Sequence, residues 1–198
     1  MDNLKAAAER GDALAQFRLG GAYFKGEGVP QDVAQAAVWF ERAATAGVVQ
    51  AQDLIGNLYR LGQGVRKDHA EAAKWFRQAA EGGIDDAQFY MGLAYQTGDG
   101  VPRDYAEAVR WYGLAAAQGN ASAMTNLGLL YFKGQGAPEN VVYALMWSEI
   151  SQKLVGRENG SLQMANIAAI RHRMNGDQIK RAEQMVSRCM ASMFTDCN

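Results

Sequence analysis

Residues 51–83, AQDLIGNLYRLGQGVRKDHAEAAKWFRQAAEGG, outline one complete helical hairpin. In the first half, Ala51, Ile55, Gly56 and Tyr59 fall at spacings of three and four, a single stripe of an α-helix. The pair Gly62-x-Gly64 stops that helix, because glycine adopts the left-handed backbone at little cost. Asp68 then offers a helix N-cap, with Glu71 three residues on in a capping-box-like arrangement. The second helix carries Ala72, Trp75, Ala79 and Ala80 on its buried side and ends at Gly83.

The same pattern recurs outward in both directions. Trp39, Trp75, Trp111 and Trp147 are each 36 residues apart, as are Tyr23, Tyr59, Tyr95 and Tyr131. Gly20, Gly56, Gly92 and Gly128 keep the step, and so do the loop glycines Gly26, Gly62, Gly98 and Gly134. Asp32 with Gln35 and Asp104 with Glu107 repeat the cap; Asn140 keeps it, but Tyr143 replaces the acid. A hairpin of this size cannot bury both faces of its helices alone, so neighbours must stack. The fold class read here is all-α, a right-handed α-solenoid of stacked hairpins closed by a C-terminal capping helix pair. Its divisions are a partial repeat at 1–11, repeats at 12–47, 48–83, 84–119 and 120–156, and a capping hairpin at 157–198. Gly20, Gly56, Gly92 and Gly128, with Ala36, Ala72, Ala108 and Ala144, mark where helices approach closely, and the tryptophans are expected to supply the largest buried areas. In the capping region, Leu162, Ala165, Ile167, Ala169 and Ile170 read as one apolar side, and Ile179, Ala182, Met185, Val186, Cys189 and Met190 as another.

Composition excludes several function classes. With 198 residues, 20 basic and 21 acidic, the net charge is −1 and no basic stripe is present, so a nucleic-acid partner is not expected. No apolar run approaches the roughly 20 residues of a membrane span. His69 falls in the first turn of a second helix, in a column with Val33, Tyr105 and Val141, and His172 has no partner at metal-ligand spacing. The repeated G-x-G follows a helix rather than a strand and lacks a G-K-[ST] ending, so turn formation explains it better than a phosphate loop. The serines lack a G-x-S-x-G setting. No catalytic constellation, cofactor or metal site is expected, and the chain reads as a non-enzyme.

The motif in Leu19-Gly20, Tyr23, Gly26, Gly28-Val29-Pro30, Asp32, Trp39, Ala43-Ala44 and Gly47, with three further copies, resembles the Sel1-like repeat, a relative of the tetratricopeptide repeat. The resemblance covers roughly residues 12 to 155. It implies bacterial protein–protein adaptors, often exported, that serve signalling, envelope regulation, virulence or immunity to secreted toxins, and it implies no reaction. A cysteine-rich related group is linked to β-lactam hydrolysis, but it carries a cysteine pair in each repeat, and these repeats have none.

By analogy with tetratricopeptide repeats, the variable columns of the first helices face a concave groove that receives a protein or peptide. The first repeat offers Leu14, Phe17, Phe24 and Lys25, and the second Gln50, Asp53, Asn57 and Arg60. The third offers Asp86, Phe89, Leu93 and Gln96, and the fourth Ser122, Thr125, Leu129, Phe132 and Lys133. Phe17 and Phe89 share a column with Asp53 and Thr125, which leaves two readings open: exposed anchors, or packing against the neighbouring unit. The jobs that fit are neutralising a secreted antibacterial toxin and regulating an envelope signalling or polysaccharide system, with a cell-wall or β-lactam-related hydrolase behind both. Cys189 and Cys197 are either independent or paired in a disulfide, which would need an oxidising compartment. The pairing favours the periplasm over the cytoplasm. The opening Met-Asp-Asn-Leu has no basic segment followed by an apolar run, and a chain beginning after a cleavage site would read the same.

Overall fold

A computed structural model describes residues 1–156 and 161–197, and for residues 161–163 the backbone alone. Among the described residues it is all-helical: α1 (Asp2–Glu9), α2 (Ala13–Lys25), α3 (Val33–Thr45), α4 (Val49–Leu61), α5 (His69–Glu81), α6 (Asp85–Thr97), α7 (Tyr105–Ala117), α8 (Ala121–Lys133), α9 (Val141–Val155), α10 (Ser161–His172) and α11 (Gly176–Ala191). Two compact units form, Met1–Tyr90 with Asp99–Val101, and Met91–Gly98 with Pro102–Asn198.

In the first unit, α2 packs on α3, α3 on α4 and α4 on α5. The hairpins close through a glycine in the first helix facing a ring in the second. A Cβ on Gly20 would stand 2.7 Å from the Phe40 ring, and one on Gly56 would stand 2.9 Å from Phe76. The residue after each tryptophan therefore fills the hairpin. Phe40 and Phe76 are both 3% exposed, and of the tryptophans expected to supply the largest buried areas Trp39, Trp111 and Trp147 are buried while Trp75 is half-buried. Successive residues on a helix point about 100° apart, so only one of the pair can face the partner helix.

Successive repeats are joined by two further devices. The buried side chains of Gln16, Gln52 and Gln88 donate from Nε2 to the carbonyls of Ala8, Ala44 and Ala80 at 3.1, 3.2 and 3.1 Å, each in the last turn of the preceding second helix. The second glycine of the loop does more than stop a helix: a Cβ on Gly64, held at φ +71°, would collide with the Val33 carbonyl at the start of α3. The caps form as expected on their aspartates, with Asp68 Oδ1 accepting from the Ala70 and Glu71 amides. Glu71 turns instead to Lys74, and Glu107 to Arg110 at 2.9 Å, so the acids make exposed ion pairs along the helix rather than completing a capping box.

In the second unit a Cβ on Gly92 would stand 2.6 Å from the Tyr112 ring and one on Gly128 2.7 Å from the Ser148 hydroxyl, continuing the same contact. α10 and α11 both pack on α9. Arg171 of α10 pairs with Glu149 of α9 and Glu183 of α11 at 2.5 and 2.9 Å. Asn175 and Gln178 make a full capping box at the start of α11. Ile167 and Ile170 of α10 are buried, but Ala165 and Ala169, read above as part of the apolar side, are exposed; the Leu162 side chain lies outside the described residues. After α11 the chain turns through Met193 and Phe194, both left-handed at φ 49° and 70°, and Cys197 is joined to Cys189 with the Cα atoms 4.4 Å apart. No helix is long and apolar enough to cross a membrane among the described residues.

The adjacent glycines of α2 separate packing from propensity. Gly20→Ala should cost about 1–3 kcal/mol by driving a methyl into the Phe40 ring. Gly21→Ala meets nothing within 4 Å and should add about 0.5–1 kcal/mol through helix propensity. Chemical-denaturation midpoints of the two variants moving in opposite directions is the expected result.

Candidate partner-binding surface

The Phe40 ring that fills the first hairpin also floors a hollow of about 820 Å³ between α2 and α4. From α2 come Phe17 and Phe24, whose rings lie 5.9 and 6.4 Å from Phe40, centroid to centroid. From α4 come Leu54, Leu58 and Leu61, spaced four and three residues apart and so on one stripe, together with Asn57. Met1 and Leu4 close one side. Phe24 (38%), Leu54 (37%) and Leu61 (50%) are open to solvent, as is Leu14 (60%) on α2. Large apolar side chains grouped on one face in this way are the usual mark of an interaction surface. The charged rim consists of Arg18, Lys25 and Glu27; Lys25 and Glu27 are 3.8 Å apart and well exposed, a pair that contributes little.

Asn57 connects the hollow to a polar group on its other side. Its Nδ2 donates to the Asp53 carbonyl at 3.1 Å, and its Oδ1 accepts from Arg60 Nη2 at 3.1 Å. The same Arg60 nitrogen donates to the Tyr90 hydroxyl at 3.2 Å, while the guanidinium lies 4.4 Å from the Tyr90 ring centroid. Tyr90 in turn stacks on Phe76 at 4.9 Å, so the hairpin ring of the second repeat fixes the height of this cluster. Asp53 Oδ1 is buried without a hydrogen-bond partner, and so is Arg60 Nε. Burial, then the negative charges of Asp86 and Asp85, push the Asp53 carboxyl up to about 6, with Arg60 working in the opposite direction.

The Sel1 repeat profile matches residues 13–48, 49–84, 85–120 and 121–151. The chain belongs to the Sel1 repeat family. Solved structures that resemble this Sel1 repeat protein include the following three. A protective antigen of uropathogenic Escherichia coli displaying an SLR fold is 44% identical with a TM-score of 0.76, over 86% of this chain and 36% of its own. The chain thus spans little more than a third of that antigen. A Sel1 repeat protein from Oxalobacter formigenes is 32% identical with a TM-score of 0.76, over 93% of this chain and 76% of its own. A Sel1 repeat protein from Klebsiella pneumoniae, 20% identical with a TM-score of 0.51 over 98% of this chain and 94% of its own, shares the fold. Comparison with curated proteins gives no match. Sel1 repeat proteins are α-solenoids that generally mediate protein–protein interaction and are typically non-catalytic scaffolds.

The groove residues read from sequence do not gather at one place. Phe17, Phe24, Lys25 and Asn57 surround the hollow, and Asp53, Arg60 and Asp86 belong to the polar group beside it. Gln50 and Leu14 are exposed nearby in sequence but line neither. Phe17 and Phe89 are both half-buried, Phe17 on Phe40 and Phe89 edge-on to Tyr90 at 5.2 Å, so packing accounts for much of their surface. In the second unit Leu93 and Leu129 are half-buried, and Ser122 and Lys133 exposed. Gln96 Oε1 accepts from the Tyr112 hydroxyl at 2.6 Å, and Thr125 shares a hydrogen bond with Ser151 at 2.8 Å. Phe132 packs into the cluster of the capping helices, with the Arg173 guanidinium 4.9 Å from its ring centroid. Those side chains are engaged within the chain itself.

Sequence reasoning missed Leu54, Tyr90 and Leu61. Leu54 and Tyr90 share a column with Arg18 and Asn126, whose variety marked it as a surface column; Leu61 stands in the column of Lys25 and Lys133.

Because the folded chain holds the Asp53 proton more tightly than an unfolded chain does, its contribution to stability is complete below the ordinary carboxylate range and is lost as pH rises through about 6. Asp53→Asn should flatten that part of the profile and raise the melting temperature near neutral pH. Thermal melts of both proteins from about pH 4 to about pH 7.5 check the sign.

Proposed function

We propose that this chain is a non-catalytic interaction module whose partner protein docks in the hollow between α2 and α4. The observation that supports this most strongly is the exposure of Phe24, Leu54 and Leu61 around a buried aromatic floor, since isolated apolar residues are common on protein surfaces but a grouped, concave set is not. Within this reading the chain acts as an immunity protein that neutralises a secreted antibacterial toxin by covering an apolar part of it. Service as an adaptor in an envelope signalling or polysaccharide system would use the same contact. The disulfide between Cys189 and Cys197 supports an oxidising compartment, hence the periplasm, and the similarity to a protective antigen of a pathogen fits an envelope setting.

Charge placed in the hollow should abolish docking without unfolding the chain. Phe24→Glu combined with Leu61→Glu is expected to weaken partner retention more than tenfold while shifting the thermal midpoint by less than about 3 °C. Affinity capture from the encoding bacterium, run with both proteins, checks it. A stoichiometric partner held equally by the variant would contradict docking at this surface.

A further inference from the structure

The turn that follows α11 lies across α7 and α9. A recess of about 240 Å³ has one wall from Val109, Gly113 and Ala117 of α7, four residues apart and so on one stripe, and another from Tyr143 and Trp147 of α9. Phe194, Thr195 and Cys197 of the turn close a further side. The Phe194 ring lies at Gly119, just after α7, where an added Cβ would stand 3.1 Å from it. α7 is shaped for this contact in a way that the other second helices are not. Gly113 stands in the column of Glu41, Arg77 and Glu149, and Ala117 in that of Thr45, Glu81 and Lys153. The one second helix that lacks a longer polar side chain in both columns is the one the turn lies on. A longer side chain at either position would enter the recess and compete with the turn for it.

The turn is held in place rather than relaxed. Met193 and Phe194 both adopt left-handed backbone, at φ 49° and 70°, which bulky residues resist unless contacts hold them there. Local hydrogen bonds help: the amides of Phe194 and Asp196 donate to the Cys189 carbonyl and the Ser192 hydroxyl at 2.9 and 3.0 Å. The Arg188–Asp196 pair at 3.4 Å is exposed and contributes little. The bond between Cys189 and Cys197 closes the same loop covalently. We infer that the turn is a redox-released strap: while the two cysteines are joined it covers the recess, and reduction by a dithiol frees it and bares Trp147 and Tyr143. A thiolate of the dithiol attacks the sulfur of Cys197, which at 7% exposed is more open than Cys189 at 0%. The S–S bond breaks as a mixed disulfide forms, and Cys189 leaves as a thiolate that takes up a proton. The second thiol then displaces Cys197, so the protein gains two electrons and two protons and the reductant becomes a disulfide. With the loop open, chain entropy returns to the turn and its left-handed residues relax. An oxidising compartment keeps the surface covered. The strap lies wholly in the second unit, so it stands or falls independently of docking in the hollow of the first.

Hydroxyl-radical footprinting of the full chain, read by mass spectrometry, reports side-chain exposure residue by residue. It compares the oxidised native chain, the native chain reduced with dithiothreitol and desalted without oxygen, Cys189→Ser with Cys197→Ser, and Phe194→Ala with its disulfide intact. Reduction and the double serine variant should each raise labelling of Trp147 and Phe194 about threefold, while Trp75 in the first unit stays unchanged. Phe194→Ala should raise labelling of Trp147 in the oxidised state. Equal helical circular dichroism in every sample separates release of the turn from unfolding. Unchanged labelling of Trp147 in reduced chain whose mass shows both thiols free would overturn the strap. So would a matching rise at Trp75, because the change would then be global. Trp147 as protected in Phe194→Ala as in the native chain would overturn the role of that ring as the cover.

Discussion

Each hairpin depends on a first-helix glycine that lets a second-helix side chain lie against its backbone: Phe40 on Gly20, Phe76 on Gly56, Tyr112 on Gly92 and, with the ring replaced by a hydroxyl, Ser148 on Gly128. A Cβ at any of the four glycines would stand between 2.6 and 2.9 Å from that side chain, closer than packed atoms tolerate. The contact fixes the separation of the two helices, and the rest of the repeat is arranged around it. Interior glycine weakens a helix by roughly 1 kcal/mol relative to alanine, and the buried ring it admits more than offsets that. The same rings then reach the surface features: Phe40 floors the hollow, and Phe76 supports Tyr90, which holds Arg60. Core and hollow thus share side chains in the first unit.

Between repeats, hydrogen bonds add to apolar packing, which in the first unit joins Phe40, Ala43 and Ala44 of α3 to Ala51, Ile55 and Leu58 of α4. Gln16, Gln52 and Gln88 reach back to carbonyls of the preceding helix end that also accept from the turn amides of Gly11, Gly47 and Gly83. The fourth repeat carries Met124 at that position, fully buried. The change coincides with other departures late in the array, Ser148 for the ring and Asn140 with Tyr143 for the acidic cap. From there the capping helices take over: Arg171 ties α10 to α9 and α11, and Arg173 covers Phe132.

How much of this was legible in the sequence follows from where each constraint lies. The period, the hairpin and the aspartate caps are local or repeat identically, so aligned columns expose them. The tryptophan column reads as buried, and three of its four members are, but periodicity alone does not say which ring of the Trp-Phe and Trp-Tyr pairs meets the glycine of the partner helix. The groove columns include Phe24 and Asn57, which line the hollow, and Arg60 beside it, yet the grouping of Asn57, Arg60 and Tyr90 draws on two repeats and a guanidinium whose direction no spacing reveals. Phe132 read as a groove residue because its column does; the arginine that covers it comes from outside the repeat pattern. A column predicts the direction of a side chain only where its neighbours also repeat.

The most direct measurement of where a partner docks is site-specific photo-crosslinking in the encoding bacterium, with a photoreactive phenylalanine analogue at Leu61 in the hollow and, separately, at Val38, which is exposed on α3 and does not line the hollow. A covalent adduct with one protein at position 61 and none at position 38 is the expected result. The same adduct formed at position 38 and absent at position 61 would contradict docking between α2 and α4.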